Sequence, residues 1–292
     1  MRPSEDLVLL GDNLELLPDF DDESFQLVYA DPPFNTGRRQ RRLTLATAAD
    51  GNGDRVGFGG RRYATSVLGE SSYADSFDDY LGFLEPRLRE LRRVLAPTGT
   101  LYLHLDYREA HYAKVLLDDL FGRDCFLNEI VWAYDYGARP RRRWPAKHDT
   151  ILVYVRDPER YRFDAEAVER EPYMAPGLVT AEKAARGKLP TDVWWHTIVS
   201  PTGREKTGYP TQKPEGVVRR MVQASSKPGD WCLDPFAGSG TLGAVCAALG
   251  RRFVLMDSNP TAVAAAEERL AVSAGRTAGR GRDEARLSCE DR

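Results

Sequence analysis

The sequence predicts an α/β fold, a mostly parallel β-sheet with helices on both faces. Short apolar runs alternate with segments whose apolar residues recur at helical spacing. Two of those runs end abruptly in turns, Asp31-Pro32-Pro33-Phe34 and Asp234-Pro235-Phe236-Ala237-Gly238-Ser239-Gly240-Thr241. With 292 residues, 42% of them hydrophobic and 29% charged, the chain has material for one large domain with insertions or two small ones.

The elements follow in order. Leu7–Leu10 reads as a strand, closed by the turn Gly11-Asp12-Asn13, and Phe25–Ala30 as a buried strand that stops at Asp31-Pro32-Pro33. Residues 36–72 are rich in Gly, Arg, Thr and Ser and read as a long loop. Leu81, Leu84, Leu88, Leu91 and Leu95 mark a helix over Asp78–Leu95, kinked or split by Pro86 and ended by Pro97-Thr98-Gly99. A strand over Leu101–Leu105 and a helix over Arg108–Phe121, capped by Gly122, come next. Ile130–Tyr134 and Thr150–Val155 are strands, and residues 156–210 break the pattern. Regularity returns with a helix over Glu215–Ser226, a strand at Trp231–Leu233, a helix over Ser239–Leu249, a strand at Phe253–Met256 and a helix over Thr261–Leu270. Residues 273–292 read as a disordered tail.

Composition excludes several classes. No apolar run approaches the roughly 20 residues that span a bilayer. The polar start Met1-Arg2-Pro3-Ser4-Glu5-Asp6 lacks a signal-peptide core, so a cytoplasmic location without membrane contact is expected. Cys125, Cys232, Cys246 and Cys289 show no zinc spacing, and no metal is expected. Cys232 and Cys246 sit in apolar runs and read as core residues. The net charge of −3 hides two basic patches. One holds Arg38, Arg39, Arg41, Arg42, Arg55, Arg61 and Arg62; the other holds Arg139, Arg141, Arg142, Arg143 and Lys147. Such patches are either solvated loops or phosphate contacts.

The two turns carry the chemistry. At Phe236–Thr241 a strand runs into a small-residue turn that opens a helix, where glycines admit a ligand close to the backbone. The next strand ends in Asp257, the position from which an acid commonly grips ribose hydroxyls. That pair indicates an adenosine-containing cofactor and does not by itself exclude a nicotinamide enzyme. Asp31-Pro32-Pro33-Phe34 has a more specific logic. An amine conjugated to a base ring is a poor nucleophile because its lone pair is delocalised. Two acceptors aimed at its N–H bonds, the Asp31 carboxylate and a proline-locked carbonyl, that of Pro32, favour a pyramidal nitrogen. Phe34 offers a ring for stacking an extruded base. Asp-Pro also opens ordinary turns, but both motifs end strands, and in an open α/β sheet such ends share one crevice.

With these motifs the chain resembles the bacterial N6-adenine/N4-cytosine DNA methyltransferase family in its β-class order, with the catalytic motif first and the cofactor motif last. The likeness runs from Leu7 to Leu270 and includes Gly11-Asp12, Tyr209-Pro210-Thr211-Gln212-Lys213-Pro214 and Asp257. It implies a Rossmann-like, seven-stranded methyltransferase sheet in permuted order with an inserted recognition region. Residues 1–134 would be the catalytic half, 135–205 the recognition region and 206–272 the half that binds S-adenosylmethionine. The implied cofactor contacts are Asp12, Asn13, Gln212, Lys213, Asp234, Phe236, Ala237, Gly238, Ser239, Gly240, Thr241, Asp257 and Asn259. The implied partner is double-stranded DNA, met by the arginines of the two patches other than Arg55 and by Lys147. A separate restriction endonuclease and a homodimer fit the resemblance.

Within the family, Asp31 favours adenine N6 over cytosine N4. C5-cytosine chemistry needs a cysteine nucleophile beside a strand-end proline, and none is present. Methylation of RNA or a protein amide, and a silent DNA-binding homologue, are the remaining alternatives.

Overall fold

The computed structural model describes residues 1–271 except 50–54, 57–61, 76, 138, 201, 202 and 204; within 38–49, 55–56 and 63–74 it describes the backbone only. In chain order the strands are β1 (Leu7–Leu10), β2 (Phe25–Ala30), β3 (Arg38–Ala49), β4 (Arg55–Val56), β5 (Arg62–Asp75), β6 (Leu95–Leu105), β7 (Phe126–Ala133), β8 (His148–Val155), β9 (Val193–Trp195), β10 (Trp231–Asp234) and β11 (Arg252–Asp257). The helices are α1 (Asn13–Leu16), α2 (Tyr80–Val94), α3 (Ala110–Phe121), α4 (Ala181–Arg186), α5 (Glu215–Ser225), α6 (Thr241–Ala248) and α7 (260–271). They form two compact units, residues 35–78 and the remainder.

The larger unit is built on an eight-stranded sheet of order β1-β11-β10-β2-β6-β8-β7-β9. Strands β1 to β6 in that order run parallel, β8 is antiparallel to both β6 and β7, and β9 pairs parallel with β7. β2 lies in the middle, which is why Phe-Gln-Leu-Val-Tyr-Ala reads as a nearly continuous apolar run: both of its faces are covered. Leu27 and Tyr29 join the core under α5 and α6, with Val217, Met221, Leu242 and Val245. Val28 and Ala30, buried on the alternate face, lie on the side of α2 and α3. Cys232 and Cys246 are fully buried, as their apolar runs predict.

Four expectations need correction. The sheet has eight strands, because Val193–Trp195 adds a short edge strand to β7. Three residues among prolines and charges give no alternation to read. Residues 36–72, expected as a loop, instead carry β3 and β5 paired antiparallel from Arg38↔Asp75 to Ala49↔Tyr63, with β4 on β5. Backbone pairing between distant segments needs no apolar periodicity, so composition concealed it. Next, β6 begins at Leu95, straight after α2, and the register shift between Phe25 and Leu27 of β2 absorbs Ala96–Gly99. Pro86 neither breaks nor splits α2, which is capped by the Asp79 carboxylate on Gly82 N–H at 2.8 Å. The tail 273–292, with Cys289, lies outside the described residues.

Candidate active site

The carboxyl ends of β2, β6 and β7 and the start of β8 meet at one edge of the sheet, since Ala30 pairs with Leu103, Leu105 with Thr150 and Ala133 with His148. β2 delivers Asp31 there, and His104 near the end of β6 and Asp149 near the start of β8 complete a buried cluster. His104, fully buried, lies with Nδ1 2.8 Å from the Tyr29 hydroxyl and Nε2 3.2 Å from Asp149 Oδ2. The Tyr134 hydroxyl donates to the other Asp149 oxygen at 2.9 Å. Burial pushes the Asp149 carboxyl up, but the bond and charge of His104, with Lys213 and Tyr134, outweigh it and hold it below its ordinary value. Burial, with the charges of Asp31, Asp234 and Asp149, raises the Tyr29 hydroxyl well above its own, so it remains a donor. His104 Nδ1 lies 3.9 Å from Asp31 Oδ1, beyond hydrogen-bond distance.

Asp31 is therefore held on one side only. Lys213 Nζ donates to Oδ2 and also lies 4.8 Å from the Phe34 ring centroid. Oδ1 is buried and has no hydrogen-bond partner among the described residues. The Tyr80 hydroxyl donates to the Pro33 carbonyl at 2.8 Å, while the Pro32 carbonyl has no hydrogen-bond donor among the described residues.

The second motif lies beside the first, because β10 pairs with β2. Gly238 and Gly240 take φ of +50° and +70°, conformations that suit glycine. A Cβ on Gly240 would come within 2.8 Å of Ala266, so that glycine serves the packing of α6 on α7, whereas a Cβ on Gly238 would meet nothing closer than 3.5 Å. Asp257 accepts Gly238 N–H and Asn259 N–H, both at 2.8 Å. On the near side, Asn13 donates to the Pro235 carbonyl at 2.7 Å, tying the first turn of the chain to the glycine turn.

The profile of the N6/N4 DNA methylase family matches residues 25–268. The chain belongs to that family. Its methyl donor is S-adenosylmethionine and its substrate is DNA. The methyltransferase is 31% identical over 274 residues to the DNA adenine methyltransferase YhdJ of Escherichia coli (strain K12), covering 91% of this chain and 83% of that one. It is 29% identical over 263 residues to the type II methyltransferase M.HpaI of Haemophilus parainfluenzae, covering 90% and 73%. Among solved structures it resembles M1.HpyAVI in complex with S-adenosylmethionine, with a TM-score of 0.57, 21% identity and coverage of 90% and 98%.

The residues present suit that cofactor. Each Asp257 oxygen keeps a lone pair for a ribose hydroxyl after its backbone bond, and a Cβ on Gly238 would touch the Tyr209 ring at 3.5 Å, so a side chain rather than backbone covers that glycine. Both Asp12 oxygens accept from Arg87 Nη2 at 2.8 Å, and Oδ1 caps α1 by accepting Leu14 N–H. Other sequence candidates also hold bonds within the protein. Gln212 takes Thr207 and donates to the Glu205 carbonyl, bracing its own loop. Asn259 caps α7 through Thr261 N–H. Ser239 and Thr241 are buried against Arg269, and Thr241 also donates to the Lys213 carbonyl. Phe236 and Ala237 form the turn itself, with Ala237 N–H on the Met256 carbonyl.

Asp234 is buried and accepts Phe236 N–H at 3.0 Å. Burial, reinforced by the charges of Asp31 and Asp257, raises its carboxyl well above the ordinary value. A raised carboxyl stabilises the fold below its unfolded value and loses that contribution as pH rises through the folded one. Asp234→Asn, which keeps the acceptor without the charge, is therefore expected to raise Tm at pH 8. The gain should fade as pH drops toward the ordinary 3.8. Calorimetry across pH checks it; a variant that melts lower at pH 8 contradicts the assignment.

Sequence reading missed Arg87, His104 and Asp149. Arg87 had a signal: it stands between Leu84 and Leu88 on the buried face of α2, where a lone charge demands partners.

Proposed function

We propose that this methyltransferase places a methyl group on N6 of an adenine flipped out of duplex DNA, within a specific site. The observation that carries the reading is Asp31 Oδ1, a buried carboxylate oxygen without a donor, next to Phe34 and the Pro32 carbonyl. The cofactor supplies an electrophilic methyl on a sulfonium. Asp31 Oδ1 accepts one amine N–H and the Pro32 carbonyl the other, which localises the nitrogen lone pair toward that methyl. Phe34 stacks on the base. As the N–C bond forms, the methyl–sulfur bond breaks with its electron pair left on sulfur, which would depart as a neutral thioether, and the nitrogen sheds its extra proton to Asp31. Asp31 as the motif's first residue and the likeness to YhdJ both favour adenine. Mass spectrometry of nucleosides from DNA treated with enzyme and S-adenosylmethionine tests this. N6-methyladenine is expected; N4-methylcytosine overturns the base, and unmethylated DNA overturns the reading.

Residues 135–205 are the proposed recognition region. The basic loop between β7 and β8 emerges at the same sheet edge as Asp31. Arg139, Arg141 and Arg142 are exposed, Trp144 is 94% exposed, and Arg143 reaches the Tyr107 hydroxyl at 3.4 Å. Lys147 instead donates to the Tyr136 and Gly137 carbonyls and shapes the loop. Arg62 is exposed; the side chains of Arg38, Arg39, Arg41 and Arg42, and all of Arg61, lie outside the described residues. Arg141→Ala with Arg142→Ala is expected to weaken DNA binding and flatten its salt dependence, the log–log slope falling by roughly 1–2. Affinity titrations at several salt concentrations measure it, and an unchanged slope removes the loop from the phosphate interface. The same reading places the protein in the cytoplasm and assigns any cleavage of unmethylated DNA to a separate endonuclease. A homodimer is compatible with it and is measured by sedimentation. Among the described residues no helix is long and apolar enough to cross a membrane.

A further inference from the structure

A second cavity, of about 370 Å³, lies between α5 and the face formed by β6, β7, β8 and β9. It is separate from the methyl-transfer site. Its β6 residues are Thr100 and Tyr102, five and three residues before the end of that strand, and three strand residues span roughly 10 Å. Asp31, Phe34, His104 and Lys213 do not line it.

Its wall is mostly apolar, with Ile130, Val153, Met221 and Trp194. Two polar groups break that wall. Thr100 is 1% exposed and its hydroxyl has no hydrogen-bond partner among the described residues. Arg220 Nη1 is equally buried and also lacks a partner. The rest of that guanidinium is anchored: it stands 5.3 Å from the Trp194 ring centroid, and Nη2 is 3.7 Å from a Glu171 oxygen. An unpaired buried guanidinium N–H and an unpaired buried hydroxyl each carry a desolvation penalty. Both groups belong to residues that line one apolar hollow. The other charged residue on the wall, Asp192, is exposed.

We propose that this cavity binds a small apolar molecule bearing a carboxylate. The carboxylate meets Arg220 Nη1 and the Thr100 hydroxyl, and the hydrocarbon lies against Ile130, Val153 and Met221. The volume falls in the range of small-molecule sites, roughly 300–1,000 Å³. A planar guanidinium held from behind by an aromatic ring is suited to a carboxylate, and ordered water alone cannot fill an apolar wall of this size favourably. Occupancy bears on α5, which supplies Arg220, Met221, Ala224 and Ser225 to the cavity and begins two residues after Lys213.

Calorimetric titration of the full chain with octanoate, 4-phenylbutyrate and octanol tests the proposal. At least one acid is expected to bind saturably, roughly tenfold more tightly than octanol. Arg220→Met should reduce the acid to the affinity of the alcohol. Ala224→Phe, which fills the hollow, should remove binding of both, while circular dichroism and S-adenosylmethionine affinity are retained. Saturating S-adenosylmethionine should leave acid binding in place. The proposal is overturned if neither acid binds, if acid and alcohol bind alike, if Arg220→Met leaves the acid's affinity unchanged, or if S-adenosylmethionine displaces it.

Discussion

Asp31→Ala is expected to lower kcat by roughly three orders of magnitude, a loss of about 4 kcal/mol of transition-state stabilisation, with cofactor affinity kept within severalfold. The carboxylate sits at the end of β2 with one oxygen on Lys213 and the other free, and it makes no bond to the glycine turn. Its removal takes away the acceptor that matters only when the amine becomes pyramidal. Asp31→Asn is the sharper test. An amide must choose which end faces the Lys213 ammonium, and its oxygen wins that position. The NH₂ group then points at the substrate amine, where an acceptor is required. Asp31→Asn is therefore expected to be nearly as inactive as Asp31→Ala, even though it is almost isosteric. Asp257→Ala should behave in the opposite sense, weakening S-adenosylmethionine binding by tenfold or so and sparing the chemical step once the cofactor is saturating. Calorimetry with single-turnover kinetics separates the two. If Asp31→Ala lost the cofactor and Asp257→Ala kept it, the two pockets would have to be exchanged. If Asp31→Asn retained most of the activity, Lys213 would not orient the carboxylate in the working enzyme.

The features legible in the sequence were those with a local cause. Strands β2, β10 and β11 are apolar because they are buried on both faces, so their runs and the turns that close them can be read from one dimension. Asp31 and Asp257 were visible because each closes such a run. What stayed hidden was set by pairing at a distance. The β3–β5 ladder joins segments whose arginines and glycines conceal any alternation. The His104–Asp149 contact exists only because β8 turns back antiparallel to β6, and neither residue carries a motif. Gln212 and Asn259 were read from their motifs alone. Both stand beside cofactor motifs, but an amide next to a loop or a helix start is readily captured by nearby backbone, and both are.

Arg87 gives the largest stability effect expected outside the core. Its guanidinium is buried and fully used: Nε on Asn13 Oδ1, Nη1 on the Phe83 carbonyl and Nη2 on both Asp12 oxygens, all at 2.8 Å, with its carbon 3.9 Å from the Phe83 ring centroid. Arg87→Met keeps the apolar stem and deletes every one of these bonds. Asp12, whose side chain is 46% exposed, can recover water, which limits the electrostatic loss. Asn13 cannot, because it is buried and its amide already holds the Pro235 carbonyl. The expected cost is about 3 kcal/mol, a fall in Tm of roughly 6–12 °C for a chain of this size. Arg87→Lys should restore little, since one ammonium cannot span Asn13 and Asp12 as the fork does. Arg89→Met is the control. Arg89 lies two residues on, exposed, and pairs only with Glu85 on its own helix, so its loss should cost less than about 0.5 kcal/mol. The functional consequence follows from the same bonds. Without Arg87, Asn13 loses the partner that fixes its orientation, and the link from the first turn of the chain to Pro235 loosens. Cofactor affinity should then drop together with Tm in Arg87→Met and in neither measure for Arg89→Met. A fall in Tm with unchanged cofactor affinity would confine Arg87 to holding α2 against α1 and separate it from the shape of the cofactor pocket.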